Sequence, residues 1–470
     1  MAIHESPTVL GDGTVAELAE AVRGEVIRPG DDAYDEARAI WNGAHDRRPA
    51  LILRCAGVAD VIRGVEFARS QDLLLAVRGG KHSIPGFSTC DDGMVLDLSP
   101  MQAVHVDPAA GTARAEAGVT WSVFDHETQA HGLATTGGLV SSTGLAGFTL
   151  GGGIGWLMRK HGLTCDNLLS ADVVTADGRL LHASEDENAD LFWGLRGGGG
   201  NFGVATSLEY RVHPVGPTIT GGAIFYPGER AAEILRFYRD WVDQVPDELT
   251  TVANLLTCPP APFLPEEWHG KPLVAIIPVH CGSLEDGERA VRPLRGLGDP
   301  VADLIGPMPY TAMQSLIDPL WGPGAHSYMK AGWMGGLDDA AIDTLVRYRD
   351  EVTSPKTEIH VHHMGGAVAR VAADATAFGD RSEPFLLNVL ASTFTADGYD
   401  DAVGWAQDLY GAMEPALSGG TYVNFLSNEG EERVRDAYGE DKYERLVALK
   451  DTYDPTNLFR LNQNIAPSGG

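Results

Sequence analysis

The sequence predicts an α+β fold with two domains, in which helices cover an antiparallel sheet in the second domain. Three observations lead to this prediction. The chain has 470 residues, of which 44% are hydrophobic, and this is enough for more than one core. Short β-rich pieces interrupted by glycine fill the first half. Beyond residues 214–217, long strand-like segments alternate with helical ones, as in a sheet covered on one face.

The first elements are predicted as a strand, a helix and a second strand. Residues 49–55 form a short apolar run, apolar residues within 58–68 repeat at helical spacing, and residues 73–77 are apolar again. A strand at 93–98 follows. Residues 171–183 predict a hairpin, because an Asp-Gly pair interrupts two strand-like runs.

The second half predicts a sheet with helices between its strands. The expected strands are 218–226, 272–281, 358–371 and 384–394. The expected helices are 229–242, 290–297 and 399–413. Proline-rich stretches predict loops at 258–265 and 299–309.

Charge and composition exclude several classes of protein. The chain has 65 acidic residues against 35 Lys and Arg, giving a net charge of -30, so we expect neither nucleic acid nor an anionic membrane as a partner. Adaptation to high salt is an alternative explanation of this acidity. No apolar run approaches about 18 residues and the N-terminus shows no signal-peptide pattern, which predicts a cytoplasmic protein. Five cysteines without CxxC spacing argue against a disulfide framework or a structural zinc site.

Glycines concentrate in three segments of the first half, 79–93, 132–155 and 194–203. Glycine permits positive φ angles and close approach of the backbone to a ligand, and successive exposed N–H groups bind anions. Three such loops indicate a large, flat cofactor that carries phosphate. Tight turns of a β-rich domain are the alternative explanation.

One glycine pattern is misleading. Gly198, Gly200 and Gly203 match G-x-G-x-x-G, but a dinucleotide fingerprint needs a strand before the loop and a helix after it. Here the predicted helix comes first and the strand at 204–212 comes second. A Rossmann site is therefore not expected.

Several motifs point to one family of flavoproteins. Residues 77–86 read VRGGKHSIPG, residues 190–197 read DLFWGLRG, and residues 453–459 read YDPTNLF. The first two, with the glycine loop at 144–155, resemble the flavin segments of the vanillyl-alcohol-oxidase superfamily. The third resembles the C-terminal segment of berberine-bridge-like enzymes. The segments at 24–29 and 40–43 are most similar to 6-hydroxy-D-nicotine-oxidase-like members.

The resemblance covers nearly the whole chain and implies its domain organisation. Residues 1–215 would form a PCMH-type FAD-binding domain, and residues 216–420 would form a substrate-binding domain. Residues 421–470 would form a berberine-bridge-like segment that returns to the FAD domain.

The resemblance also implies FAD joined through its 8α-methyl group to a ring nitrogen of His82. A neutral imidazole is a nucleophile near neutral pH, in agreement with this role. Many relatives have a second, cysteinyl link, but Val140 occupies that position and Cys165 does not align with it, so we expect one covalent bond. Lys81 replaces a glycine of the family and either pairs with the pyrophosphate or points to solvent. The implied cofactor-binding residues are Arg78, Gly79, Gly80, Lys81, His82, Ser83, Gly86, Gly138, Ser142, Thr143, Gly147, Gly152, Gly153, Gly155, Val204, Asn462 and Asn464.

Candidate catalytic residues come from two segments. Glu358, His360 and His362 alternate along a strand and should share one face, where a histidine could act as a base. A solvated polar face and a zinc site are alternative interpretations of this strand. Relatives present a tyrosine base from the other segment, which makes Tyr422 and Asn424 candidates. Core packing is the alternative for Tyr422, because an unperturbed tyrosine titrates near pKa 10.

The resemblance implies hydride transfer from a C–OH or C–N centre to the flavin, with reoxidation by dioxygen and release of hydrogen peroxide. Thr143 aligns with the residue that controls oxygen access, which is often valine in oxidases of the family and leucine in dehydrogenases. Threonine is near valine in size, which favours an oxidase, but its hydroxyl changes the polarity, so a dehydrogenase with another electron acceptor is the nearest alternative. A flavin-binding protein without catalytic activity is an alternative of another class.

Tyr328 and Lys330 resemble a Tyr-x-Lys motif that could line the pocket. A small-molecule substrate and dioxygen are the expected partners; the sequence leaves the identity of the substrate and the oligomeric state open.

Overall fold

The computed structural model describes residues 10–469, which form two large hydrophobic cores and four sheets of four, five, two and nine strands. The N-terminal residues 1–6, on which the signal-peptide prediction rests, lie outside the described residues. None of the helices within the described range is long and apolar enough to cross a membrane.

From residue 10 onward, the first part of the chain contains eleven strands and seven helices. The strands are β1 (Glu25–Ile27), β2 (Leu51–Arg54), β3 (Leu75–Arg78), β4 (Met94–Asp97), β5 (Val104–Asp107), β6 (Thr112–Glu116), β7 (Leu133–Ala134), β8 (Leu168–Val174), β9 (Leu180–Ser184), β10 (Val204–Arg211) and β11 (His213–Pro214). The helices are α1 (Asp12–Ala21), α2 (Tyr34–Arg38), α3 (Val58–Ser70), α4 (Trp121–Gln129), α5 (Leu145–Leu150), α6 (Met158–His161) and α7 (Ala189–Leu195).

Two sheets organise this first part. The four-stranded sheet has the order β1-β2-β4-β3, with β2, β4 and β3 parallel and β1 antiparallel. Helix α3 connects β2 to β3, because parallel strands need a crossover, and the predicted strand, helix and strand are confirmed. The antiparallel five-stranded sheet has the order β5-β6-β10-β8-β9 and contains the predicted hairpin as β8 and β9.

The second part contains nine strands and most of the long helices. Its strands are β12 (Thr218–Gly221), β13 (Ile224–Pro227), β14 (Leu249–Thr257), β15 (Pro272–His280), β16 (Ala302–Asp303), β17 (Gly306–Pro309), β18 (His326–Met334), β19 (Glu358–His363) and β20 (Phe385–Thr393). Its helices are α8 (Ala231–Val242), α9 (Leu284–Arg295), α10 (Tyr310–Gln314), α11 (Asp339–Asp350), α12 (Ala367–Arg370) and α13 (Tyr399–Met413).

These nine strands form one antiparallel sheet, as the sequence predicts, with a main order of β16-β13-β15-β14-β19-β20-β18. Helices α8, α11 and α13 cover one face of it. Helix α8 packs there because its buried residues recur at helical spacing, among them Ile234, Leu235 and Tyr238. The opposite face of the sheet packs against the first part of the chain. We call this nine-stranded sheet the roof.

Four predicted boundaries in this part are wrong. The strand at 218–226 divides because Gly222 has φ +126° and passes close to the backbone of Leu304. The strand at 358–371 ends at His363, since Gly365 and Gly366 turn the chain with φ +81° and +56°. The helix predicted at 290–297 begins at Leu284 instead, where Ser283 caps it, and ends at Arg295. The loop predicted at 299–309 contains the short strands β16 and β17.

The C-terminal helices α14 (Glu431–Tyr438) and α15 (Glu440–Tyr453) pack into the core of the first part. A fully buried ion pair ends α15, where Lys450 Nζ lies 2.6 Å from Asp454 Oδ2. Lys450 also donates to the backbone oxygens of Asn201 and Phe459, at 2.9 and 3.2 Å. The Asp454 carboxylate accepts the N–H groups of Leu458 and Phe459. The pair therefore ties the C-terminal motif to the third glycine loop.

All five cysteines, namely Cys55, Cys90, Cys165, Cys258 and Cys281, are buried free thiols. Burial raises the pKa of every one of these thiols.

We expect Lys450→Met to lower the melting temperature strongly, because it leaves the Asp454 carboxylate buried without its cation. Removing one partner of such a pair typically costs roughly 3–5 kcal/mol. Differential scanning fluorimetry measures the effect, with Arg289→Met as the control, because Arg289 pairs with exposed carboxylates on α9. Equal melting temperatures for the two variants would contradict this role of the pair.

Candidate active site

A cavity of about 370 Å³ lies between the roof sheet and the glycine loops of the first part. All three glycine-rich segments predicted from the sequence reach it, and so does the C-terminal segment. The glycines that line it are Gly79, Gly80, Gly138, Gly144, Gly147, Gly151, Gly199, Gly200 and Gly203. Of the other predicted cofactor-binding residues, those that line it are Arg78, Lys81, His82, Ser83, Thr143, Val204 and Asn462.

His82 stands at this cavity between two side chains. Its Nε2 lies 2.9 Å from Ser142 Oγ, and its ring stacks on Trp41 with the centroids 4.9 Å apart. Burial lowers the pKa of His82 to about 4, so the imidazole is neutral at pH 7. Position 82 therefore presents a nucleophilic ring nitrogen rather than a cation.

The residues before His82 fix the course of its loop. Lys81 has φ +61°, a left-handed conformation that is unusual for a residue with a side chain. Burial and the nearby Arg78 lower the pKa of Lys81. Arg78 is itself buried and donates to Asp97 Oδ2 at 2.8 Å and to the backbone oxygen of Ala37. Its Nε and Nη1 atoms have no partner among the described residues, so this cation keeps donors available beside the cavity.

The first two glycine loops touch through their backbones. A Cβ atom on Gly80 would lie 2.2 Å from the nitrogen of Gly144, which no side chain permits. By contrast, a Cβ on Gly147 or Gly200 would meet no atom within 4 Å. The two loops therefore pack against each other at Gly80 and Gly144, whereas Gly147 and Gly200 border open space.

A row of polar residues crosses the roof above the cavity. Asn254, His360 and Asn388 are directly opposite one another on β14, β19 and β20, and so they share one face. His360 Nε2 lies 2.7 Å from Glu358 Oε2, and Asn254 Nδ2 donates to the same oxygen at 2.8 Å. His360 and Asn388 line the cavity. The Oδ1 atom of Asn388 is buried without a partner among the described residues.

Sequence reasoning missed Asn254 and Asn388. Each is a polar amide within a predominantly apolar strand, and such an isolated amide is a signal that could have singled them out.

Tyr422 does not occupy the position predicted for a base. It is absent from the residues that line the cavity, and its oxygen accepts hydrogen bonds from the Gly153 nitrogen at 2.9 Å and Asn424 Nδ2 at 2.8 Å. Burial raises its pKa, which opposes ionisation. Asn424 lines the cavity, but its amide also donates to the backbone oxygen of Phe148. The geometry therefore assigns Tyr422 and Asn424 to holding the glycine loop.

Three other candidates are absent from the cavity lining. His362 shares the face of His360, but its ring lies 5.7 Å from that of Phe425 and neither of its nitrogens has a partner within the described chain. Tyr328 and Lys330 both bind Glu429, and Met329 between them lines the cavity instead. The Tyr-x-Lys prediction is therefore wrong, because strand alternation turns these two side chains away.

The remaining predicted cofactor residues are absent from the cavity lining. Gly86 has φ +77° and packs on His45. A Cβ on Gly155 would lie 1.8 Å from the Gly137 oxygen, so this glycine joins two parts of the loop. Ser142 contacts the cavity through His82. The others outside the lining are Gly152, Gly153 and Asn464.

Comparison with known proteins agrees with this geometry. Residues 49–184 match the family model described as an FAD binding domain, and residues 421–466 match the one described as berberine and berberine like. The cavity fits such a cofactor, because it combines glycine loops, the Arg78 donors, the neutral imidazole of His82 and Asn462, whose Oδ1 has no partner among the described residues. Fold and site therefore define an FAD-linked oxidoreductase.

Individual relatives show to which family of FAD-linked oxidoreductases the chain belongs. The chain is 30% identical to (R)-6-hydroxynicotine oxidase of Paenarthrobacter nicotinovorans over 467 residues. The alignment covers 96% of this chain and 98% of that relative. An FAD-linked oxidoreductase of Dictyostelium discoideum is 31% identical, with coverages of 96% and 97%. The crystal structure of 6-hydroxy-D-nicotine oxidase from Arthrobacter nicotinovorans superposes with a TM-score of 0.86 at 30% identity, over 95% of this chain and 98% of that one. The chain belongs to the family of PCMH-type, berberine-bridge-like FAD-linked oxidoreductases.

We expect Gly80→Ala to lower the flavin content of the purified protein severalfold, because the methyl group would collide with the backbone of Gly144. The ratio of absorbance at the flavin band to that of protein measures this. Gly404→Ala is the matched control, since a Cβ at this position on α13 meets no atom within 4 Å. Full flavin loading in Gly80→Ala would show that the loop contact is not required.

Proposed function

We propose that this FAD-linked oxidoreductase is an oxidase that takes a hydride from a C–OH or C–N carbon and passes the electrons to dioxygen, which yields hydrogen peroxide. Residues 1–215 and 421–470 hold FAD, and residues 216–420 supply the roof over the substrate. The observation that carries the proposal is the paired His360 and Glu358 on the cavity side of the roof.

His360 is the proposed base. Its Nε2 is engaged by Glu358, so Nδ1 is the nitrogen left to take a proton from the O–H or N–H group of the substrate. The carboxylate stabilises the imidazolium that forms, and Asn254 holds the carboxylate in place. Bound FAD would be the hydride acceptor. Proton and hydride thus leave the substrate toward different partners.

The walls around these polar groups favour a compact, mostly apolar substrate. Met329, Leu390 and Phe425 line the cavity together with Trp321 and Ile317. Each polyol hydroxyl buried here without a partner costs about 1–3 kcal/mol, which disfavours a saccharide. Asn388 offers one acceptor to a second polar group of the substrate. The name of the relative, a hydroxynicotine oxidase, also supports a heterocyclic alcohol or amine.

His82 is the proposed attachment point of FAD. Its neutral ring at the cavity supports a single bond to the 8α carbon. Val140 lines the cavity at the position where relatives have a second linking residue, and valine has no nucleophile. Thr143, also in the lining, is the residue proposed to govern oxygen access.

A panel of alcohols, amines and saccharides, read by peroxide release, tests the oxidase proposal. We expect a mostly apolar alcohol or amine to bleach the flavin and release peroxide in air. Reduced flavin that persists for minutes in air would replace the oxidase by a dehydrogenase. A flavin that no member of the panel bleaches would favour a binding protein.

We expect acid-precipitated protein to retain its yellow colour and His82→Ala to lose it. Because burial lowers the pKa of His82 to about 4, the neutral nucleophile predominates above that value. The rate of attachment should therefore be constant between about pH 6 and 8, and it should fall as the pH drops toward about 4. Flavin recovered in the acid pellet after FAD is added measures this rate. A colourless wild-type pellet would disprove the covalent bond.

We expect His360→Gln to slow reduction of the flavin by about a hundredfold or more, because the substrate loses its proton acceptor. Anaerobic stopped-flow with the best substrate of the panel measures this rate. His280→Gln is the control, since His280 is a buried histidine on β15 of the same sheet, lies outside the cavity lining and accepts the N–H of Gly282. An unchanged rate in His360→Gln, with normal flavin content, would remove His360 as the base.

A further inference from the structure

Trp41 lies against the face of His82 and is held there from the second part of the chain. The two rings are nearly parallel, with an interplanar angle of 24° and centroids 4.9 Å apart. Trp41 Nε1 donates to the backbone oxygen of Trp321 at 3.0 Å, and the Gly324 nitrogen donates to the Trp41 oxygen at 2.9 Å. Trp41 also donates its own N–H to the Lys81 oxygen, next to His82.

The neighbouring Asn42 strengthens this connection. It is fully buried, and its Nδ2 donates to the backbone oxygens of Ile84 and Ser327, both at 2.7 Å. The Ser327 nitrogen donates back to Asn42 Oδ1 at 2.9 Å. One amide therefore joins the His82 loop to the first residues of β18.

The opposite side of His82 depends on the same part of the chain. Ser142, which contacts His82 Nε2, follows Ser141, whose nitrogen and hydroxyl both donate to the Asp318 carboxylate. Residues 318–327 thus anchor both neighbours of the imidazole. The contact with Ser142 leaves Nδ1 as the ring nitrogen without a protein partner in the described chain.

We propose that Trp41 is a positioning residue for attachment of the flavin: its indole, fixed by residues 318–327, sets the plane of the His82 ring against the 8α carbon. The inference rests on the proposed covalent bond at His82. In that step a C–N bond forms, the 8α carbon and the imidazole each release a proton, and an electron pair remains on the flavin. Dioxygen accepts this pair together with two protons and gives hydrogen peroxide. Because the ring plane determines whether the nitrogen lone pair points at the carbon, loss of the stacking partner should slow the bond rather than prevent binding of FAD.

Two substitutions of similar size distinguish the effect of an aromatic ring stacked on His82 from the effect of lost packing at position 41. Trp41→Phe keeps an aromatic face, and Trp41→Leu removes it. We expect Trp41→Leu to attach FAD about tenfold more slowly than the wild type, and Trp41→Phe to remain within about threefold of the wild type. Trp405→Leu is the matched control, because Trp405 is equally buried at 6% exposure and its Nε1 also donates to a backbone oxygen, that of Tyr348.

The measurement uses full-length protein that has been produced with limiting flavin and then supplied with saturating FAD. Flavin in the acid pellet gives the attached fraction over time, and flavin in the supernatant gives the amount bound without a covalent bond. Slow attachment confined to Trp41→Leu, with normal total flavin, supports the proposal. Attachment at the wild-type rate in Trp41→Leu, or an equal loss in Trp405→Leu, overturns it while leaving the covalent bond intact. A colourless wild-type pellet instead removes the covalent bond itself.

Discussion

The backbone contact between Gly80 and Gly144 is the constraint on which the candidate site depends. At this point two loops that are far apart in sequence approach so closely that a Cβ atom on either would overlap the other backbone. The contact brings His82 on one loop within hydrogen-bond distance of Ser142 on the other. It also leaves the opposite surface of both loops free to form the cavity wall. Glycine is needed here for close approach, since neither residue has a positive φ angle.

Much of the fold follows from local patterns in the sequence. Strands β2 and β3 were predictable because each is a short apolar run, and helix α3 between them because its apolar residues repeat at helical spacing. The strands β14 and β18 were not assigned, although together they contribute eighteen residues to the roof sheet. Both alternate only partly, because helices cover one face of the sheet and the first part of the chain covers the other. Their polar residues contact other parts of the protein instead of solvent, as Asn254 contacts Glu358 and Lys330 contacts Glu429, which removes the usual signal.

The flavin side and the roof side of the candidate site also differ in how far the sequence predicts their residues. The glycine-rich segments that line the cavity could be found in the sequence because the glycines of each segment are close together in the chain. The roof residues come from strands more than one hundred residues apart, such as Asn254 and His360, and only the register places them side by side. Register also explains the Tyr328 and Lys330 error, since a shift of one residue exchanges the two faces of a strand. The sequence also does not show that Tyr422 lies outside the cavity lining, where its hydroxyl accepts a hydrogen bond from the Gly153 nitrogen.

For the oxidase proposed above, the burial of all five cysteines has a consequence for stability in the presence of its product. Hydrogen peroxide attacks the thiolate form of cysteine, and burial keeps these sulfurs protonated at neutral pH. Sulfenic acid formation would therefore be slow even for Cys165, which lies in the apolar cluster beside Tyr422. If the proposed release of hydrogen peroxide is correct, these thiols would therefore resist oxidation by the product of the enzyme itself.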